Sequence, residues 1–239
     1  MKHLNTYITE YIVKKKLEKP IDSEYSYHPK NKEELIGNIK ELLGKGQTNL
    51  NCIDTSAITD MSVLFSDSDA DRIIIKDMNI NVSDWDVSNV TNMSEMFNNC
   101  CSFDCDLSNW DVSKVEDMEY MFTNCKNFTG KGLENWDVSN VINTKYMFNE
   151  CENFNCDLSK WDVSKVKNSE FMFSKCEKFD CDLSNWDVSN ITDMSFMFDG
   201  CSNFTGKNLE KWKLNEYVNI DYMFSECDKM KNKPSWYKE

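Results

Sequence analysis

Two rhythms of apolar residues alternate along this chain. From Phe103 to Leu107 (FDCDL), and again from Trp110 to Val112, every second residue is apolar, the period of an extended strand with one face turned inward. After Ser113 the apolar residues fall at Val115, Met118, Met121 and Phe122, three or four apart, which predicts one short helical turn. Strand, corner and helical turn then recur. Trp85, Trp110, Trp136, Trp161 and Trp186 open equivalent blocks 25 or 26 residues apart; a degraded copy starts at Trp212 and another at Ile53. Such a period marks a repeat architecture, in which each unit buries its apolar face only against its neighbours.

Stacked copies place like residues on like. Three internal ladders are therefore expected: Phe65 to Phe224, Trp85 to Trp212, and Met96 to Met223. Asp60, Asn92, Asp117, Asn143, Asn168, Asp193 and Asn219 hold one position, directly before the helical rhythm, where a cap must accept a backbone N–H. The fold class read from this pattern is a right-handed, leucine-rich-repeat-like solenoid. Each of its seven turns should carry one or two short parallel strands and a short helical turn, behind an N-terminal helical cap.

The chain divides into four parts on this reading. Residues 50–230 form the solenoid, and 231–239, with Pro234, Trp236 and Tyr237, close its last turn. Residues 23–49 contain a linker and a capping helix over 31–43, where Leu35, Ile36, Ile39, Leu42 and Leu43 are helically spaced and Gly44 is the stop signal. Residues 1–22 form a separate amphipathic docking segment, with Leu4, Tyr7, Ile8, Tyr11 and Ile12 on one stripe before three lysines. Three roles stay open for it: packing on the solenoid or its cap, docking into a partner or self-association, and binding a membrane surface. The last is disfavoured because the basic patch is small and lacks tryptophan.

The W-D-V-S-x-V-x-[ND]-M-x-x-M-F-x-x-C unit, as from Trp110 to Cys125, resembles the BspA-like leucine-rich-repeat family, in the 25-residue form found in surface proteins of mycoplasmas and gut bacteria. The resemblance covers residues 50 to 230. It implies adhesion or protein binding and carries no catalytic residues.

Composition narrows the chemistry. Among 239 residues the formal net charge is −14, which argues against a nucleic-acid partner. Two histidines, both near the start, and seven glycines leave little for histidine catalysis, metal binding or phosphate loops. The polar residues recur with the repeat, as structural residues do, so no catalytic residue, cofactor or metal is assigned. Eleven cysteines suggest disulfides, yet Cys100, Cys125, Cys151, Cys176, Cys201 and Cys227 share one position and Cys105, Cys156 and Cys181 another, as small buried core residues would. Asp67, Asp69 and Asp71 imitate a calcium loop, but Arg72 stands where the tight turn needs glycine.

Asp86, Asp111, Asp137, Asp162 and Asp187 follow the tryptophans and should form an exposed row. Either each is held locally in an Asx-turn or the row recognises a basic partner. The functional expectation is a non-enzymatic protein-binding module, its partner a protein of unknown identity. The alternative is a phage- or virion-associated component addressed by residues 1–22. Neither a secretory leader nor an apolar run of about 20 residues is present, which favours a cytoplasmic or virion-associated location over secretion.

Overall fold

The computed structural model describes residues 25–66 and 77–238. Residues 1–22, with Leu4, Tyr7, Ile8, Tyr11 and Ile12, lie outside the described residues, as do Asp67, Asp69 and Asp71.

Seven turns stack in chain order over one continuous core. The Phe65–Phe224 ladder runs the length of the stack with ring centroids 5.4 to 5.8 Å apart. Phe103, Phe128, Phe154, Phe179 and Phe204 form a second ladder 5.7 to 6.1 Å apart, each ring 4.0 to 4.3 Å from the first-ladder ring of its own turn. The methionines of the third expected ladder are all buried. Each tryptophan reaches back one turn: Trp110 Nε1 donates to the Val82 carbonyl at 3.0 Å and Trp136 Nε1 to that of Leu107 at 3.2 Å. The bond satisfies the one polar atom that burying an indole would otherwise orphan.

The expected leucine-rich-repeat-like solenoid of strands and helical turns is not what forms. Among the described residues there is no strand or sheet, only one α-helix, two 3-10 turns and isolated parallel bridges. Six of the bridges join the Asx positions of adjacent turns, from Asp60↔Asn92 through Asp193↔Asn219; the other two are Tyr27↔Ile53 and Asn49↔Asn81. The alternating burial of Phe103 to Leu107 is real, but its N–H groups build no ladder: Phe103 bonds the Cys100 carbonyl, Asp104 the side chain of Asn79, and Leu107 the Lys131 carbonyl of the next turn. Ser108, Ser113 and Glu119 donate theirs to the side chains of Asp106, Asp111 and Asp117. An Asx-turn and a sheet compete for the same donor.

The apolar spacing of three does not form the expected helical turn either. It is the period of bonds closing successive β-turns: Met121 N–H to Met118 carbonyl, Thr123 to Tyr120, and Cys125 to Phe122. Tyr120 and Asn124, third in two of these turns, have φ of 55° and 58°, the left-handed conformation of type II turns and incompatible with an α-helix. The remaining N–H groups point along the stack. Met118, Tyr120, Phe122 and Asn124 donate to Asn143, Lys145, Met147 and Asn149 of the next turn, at 2.7 to 3.1 Å.

The helix α1 spans Lys32–Gly44. Asn31 caps it by accepting from the Glu34 N–H at 2.9 Å, and Leu35, Ile39 and Leu42 are buried against the first turn. Gly44 is its last residue; the left-handed position beyond it is Gly46, φ 74°. The spacings of 26 residues arise where a 3-10 turn, Leu133–Asn135 or Leu209–Lys211, precedes the next tryptophan. No helix among the described residues is long and apolar enough to cross a membrane.

Candidate functional site

The five aspartates after the tryptophans serve the turns. The Oδ1 of Asp86, Asp111, Asp137, Asp162 and Asp187 accepts the N–H of the serine two residues on, at 3.0 to 3.1 Å. Hydrogen bonds from the Ser164 and Ser189 side chains and N–H groups hold the carboxyls of Asp162 and Asp187 below the usual range. Asp111, Asp137, Asp162 and Asp187 are exposed and Asp86 is half-buried. The row exists, and each member is fixed by its own turn.

A second surface row escaped the sequence reading. Tyr120, Tyr146, Phe171, Phe196 and Tyr222 occupy one position in the last five turns, with ring centroids 4.6, 4.6, 4.5 and 5.0 Å apart. The first four are half-buried and Tyr222 is exposed. Every residue at this position, Val63 and Glu95 included, has φ between 54° and 56°. That conformation costs a residue with a Cβ about 1–2 kcal/mol, and bulky side chains are rare in it. Each stacked aromatic pair returns about 0.5–1.5 kcal/mol, so the ladder roughly offsets its own strain. The signal was present as an aromatic at every repeat from Tyr120 onward, but it sits next to the buried methionine and phenylalanine and reads as part of that cluster. Beside it Lys145 pairs with Glu170 at 2.6 Å, which raises the lysine's pKa, and lies 5.6 Å from the Tyr146 ring centroid.

The buried thiols are hydrogen-bonded core residues. Cys125, Cys151, Cys176, Cys201 and Cys227 donate Sγ–H to the carbonyls of Phe97, Phe122, Phe148, Phe173 and Phe198 of the preceding turn, at 2.9 to 3.1 Å. Burial pushes Cys227 and Cys156 up to about 12 and Cys181 up to about 11. Such thiols carry almost no thiolate at neutral pH and are poor nucleophiles. The eleven cysteines are thiols, and only Cys52 and Cys101 lie partly at the surface. Among the described residues no group of three or more His, Cys, Asp or Glu side chains is placed to hold a metal ion.

Residues 34–132 and 121–237 match the family described as Mycoplasma protein of unknown function, DUF285. The two matches overlap within the repeats, as a repeated unit allows. No curated protein and no solved structure matched the chain.

Proposed function

The chain belongs to the DUF285 family of Mycoplasma proteins of unknown function, and on that footing we propose that it is a non-enzymatic protein-recognition module that binds through the side of its stack. The aromatic row from Tyr120 to Tyr222 carries this reading. Aromatic side chains on a rigid backbone lose little entropy on binding and dominate protein interfaces. Here they persist at a left-handed position that asparagine or glycine would fill with less strain. The adhesion-type role implied by the resemblance to BspA-like proteins is the same reading in coarser form. The acidic row from Asp86 to Asp187 would contribute long-range attraction for a basic partner rather than its anchor.

The test uses the full chain with a photo-crosslinking residue at Phe171, exposed to lysate and membrane fractions of the source organism. A captured protein is purified and its affinity compared for wild type and a Tyr146→Glu/Phe171→Glu double variant. Glu95 already occupies the same backbone position, so the variant keeps a conformation the fold accepts. Loss of at least about tenfold in affinity is expected. Undiminished binding by the folded double variant would remove the aromatic row from recognition.

A further inference from the structure

The far side of the seventh turn presents a row of backbone donors. In each of the second to sixth turns, four alternate N–H groups are filled by carbonyls of the next turn. Met194, Phe196, Phe198 and Gly200, for instance, donate to Asn219, Asp221, Met223 and Ser225. The corresponding groups one turn on belong to Ile220, Tyr222, Phe224 and Glu226, and no described residue accepts from them. The carbonyl of Val218, at the position where Thr192 accepts from the Asn219 N–H, likewise receives no donor among the described residues.

The residues that follow replace the apolar contacts and not these bonds. Trp236 continues the tryptophan ladder, 6.1 Å from Trp212, and Tyr237 lies edge-on to Phe224 at 5.1 Å. A cavity of about 480 Å³ remains beside them, lined by Tyr222, Ser225, Lys233 and Tyr237 among others. Tyr222 is 64% exposed: one ring face stacks on Phe196 at 5.0 Å, and the other meets no ring among the described residues.

We infer that this face docks one turn-forming segment of another polypeptide, laid parallel to the seventh turn. Its alternate carbonyls take the four N–H groups, one of its N–H groups bonds Val218, and an aromatic side chain continues the row over Tyr222. The occupant is identified by the molecule itself, because the same donor row in the preceding turns is filled by a segment of that kind. Main-chain bonds supply the affinity and the stacked ring the selectivity, as in other edge additions. A second copy fits poorly. Its first turn is already covered by α1, whose Lys32 bonds Asp60 and Ser62, and each copy carries a net charge of −14. The inference does not rest on recognition by the side of the stack, since its donors are backbone groups at one end.

The probe is a synthetic peptide of residues 142–154 (INTKYMFNECENF), which fills the same row between internal turns. It is titrated into the full isotope-labelled chain while backbone amides are observed by NMR. Saturable shifts and slowed exchange at Ile220, Tyr222, Phe224 and Glu226 are expected, with half-saturation at or below about 1 mM. A scrambled peptide should leave these amides unmoved. Tyr222→Glu, which Glu95 shows the backbone accepts, should weaken binding about tenfold, and Tyr222→Phe should restore it. No shift at the four amides, equal shifts with the scrambled peptide, or shifts confined to Tyr120–Phe171 would overturn the inference. So would protection of the same amides through self-association of the chain alone, seen by sedimentation.

Discussion

Trp236 Nε1 donates to the carbonyl oxygen of Leu209 at 2.9 Å, repeating what Trp212 does to Leu183 at 2.8 Å. The last tryptophan is thus a further rung of the ladder rather than a loose lid. Trp236→Phe keeps the apolar contact and loses the indole bond, so it should cost about 1 kcal/mol. Trp236→Ala, at a half-buried site, should cost about 2–3 kcal/mol and loosen the seventh turn first. Urea unfolding together with amide exchange at Met223 and Ser225, whose N–H groups bond the Ile220 and Tyr222 carbonyls within the turn, measures both; unchanged exchange there would mean that Trp236 does not hold the turn.

The left-handed position predicts opposite effects of one substitution in two turns. Glu95→Gly removes the steric cost of φ 55° and disturbs no aromatic stack, so stability should rise by up to about 1 kcal/mol. Tyr146→Gly removes the same cost but breaks two stacking contacts, at 4.6 Å to Tyr120 and to Phe171, and should lower stability by about 1–2 kcal/mol. Thermal unfolding of the pair decides whether stacking offsets strain at this position.

Buried thiols should make the fold sensitive to alkali. Cys156, Cys181 and Cys227 titrate at about 12, 11 and 12 when folded, against 9.0 for an ordinary thiol. Between those values the unfolded chain has released protons that the folded chain keeps, so stability falls as pH rises. Below pH 9 these groups add no pH dependence. Melting temperature should therefore decline from about pH 9 upward, and less steeply in Cys156→Ala/Cys181→Ala. An equally steep decline in that variant would assign the loss to other groups.

The aspartate row can be divided into its turn role and its charge. Asparagine accepts the same N–H from the following serine, so Asp111→Asn/Asp137→Asn/Asp162→Asn should leave stability within about 0.5 kcal/mol. The corresponding alanine variant loses three Asx-turn bonds and should cost about 1–3 kcal/mol in total. If a basic partner reads the row, the asparagine variant should bind it more weakly and with a flatter salt dependence. Unaltered salt dependence would leave the row with its structural task alone.

Much of this protein was legible in its sequence. The repeat register, the buried Phe, Trp, Met and Cys positions, the Asx acceptors and the helix before the first turn all follow from local spacing. Which side chains face inward depends mainly on periodicity within one turn. The backbone state could not be read in the same way. Alternation from Phe103 to Leu107 suits a strand or a chain pinned by Asx-turns, and spacing of three suits a helix or successive β-turns. The choice rests on acceptors in the next turn, such as Lys145, whose carbonyl holds the Tyr120 N–H at 2.9 Å. Likewise the aromatic row is visible only once stacking brings Tyr120, Tyr146 and Phe171 face to face. The sequence determined what is buried and how often it recurs. The tertiary structure decided where each N–H points and which aromatic edges reach the surface, because both depend on partners about one full repeat away along the chain.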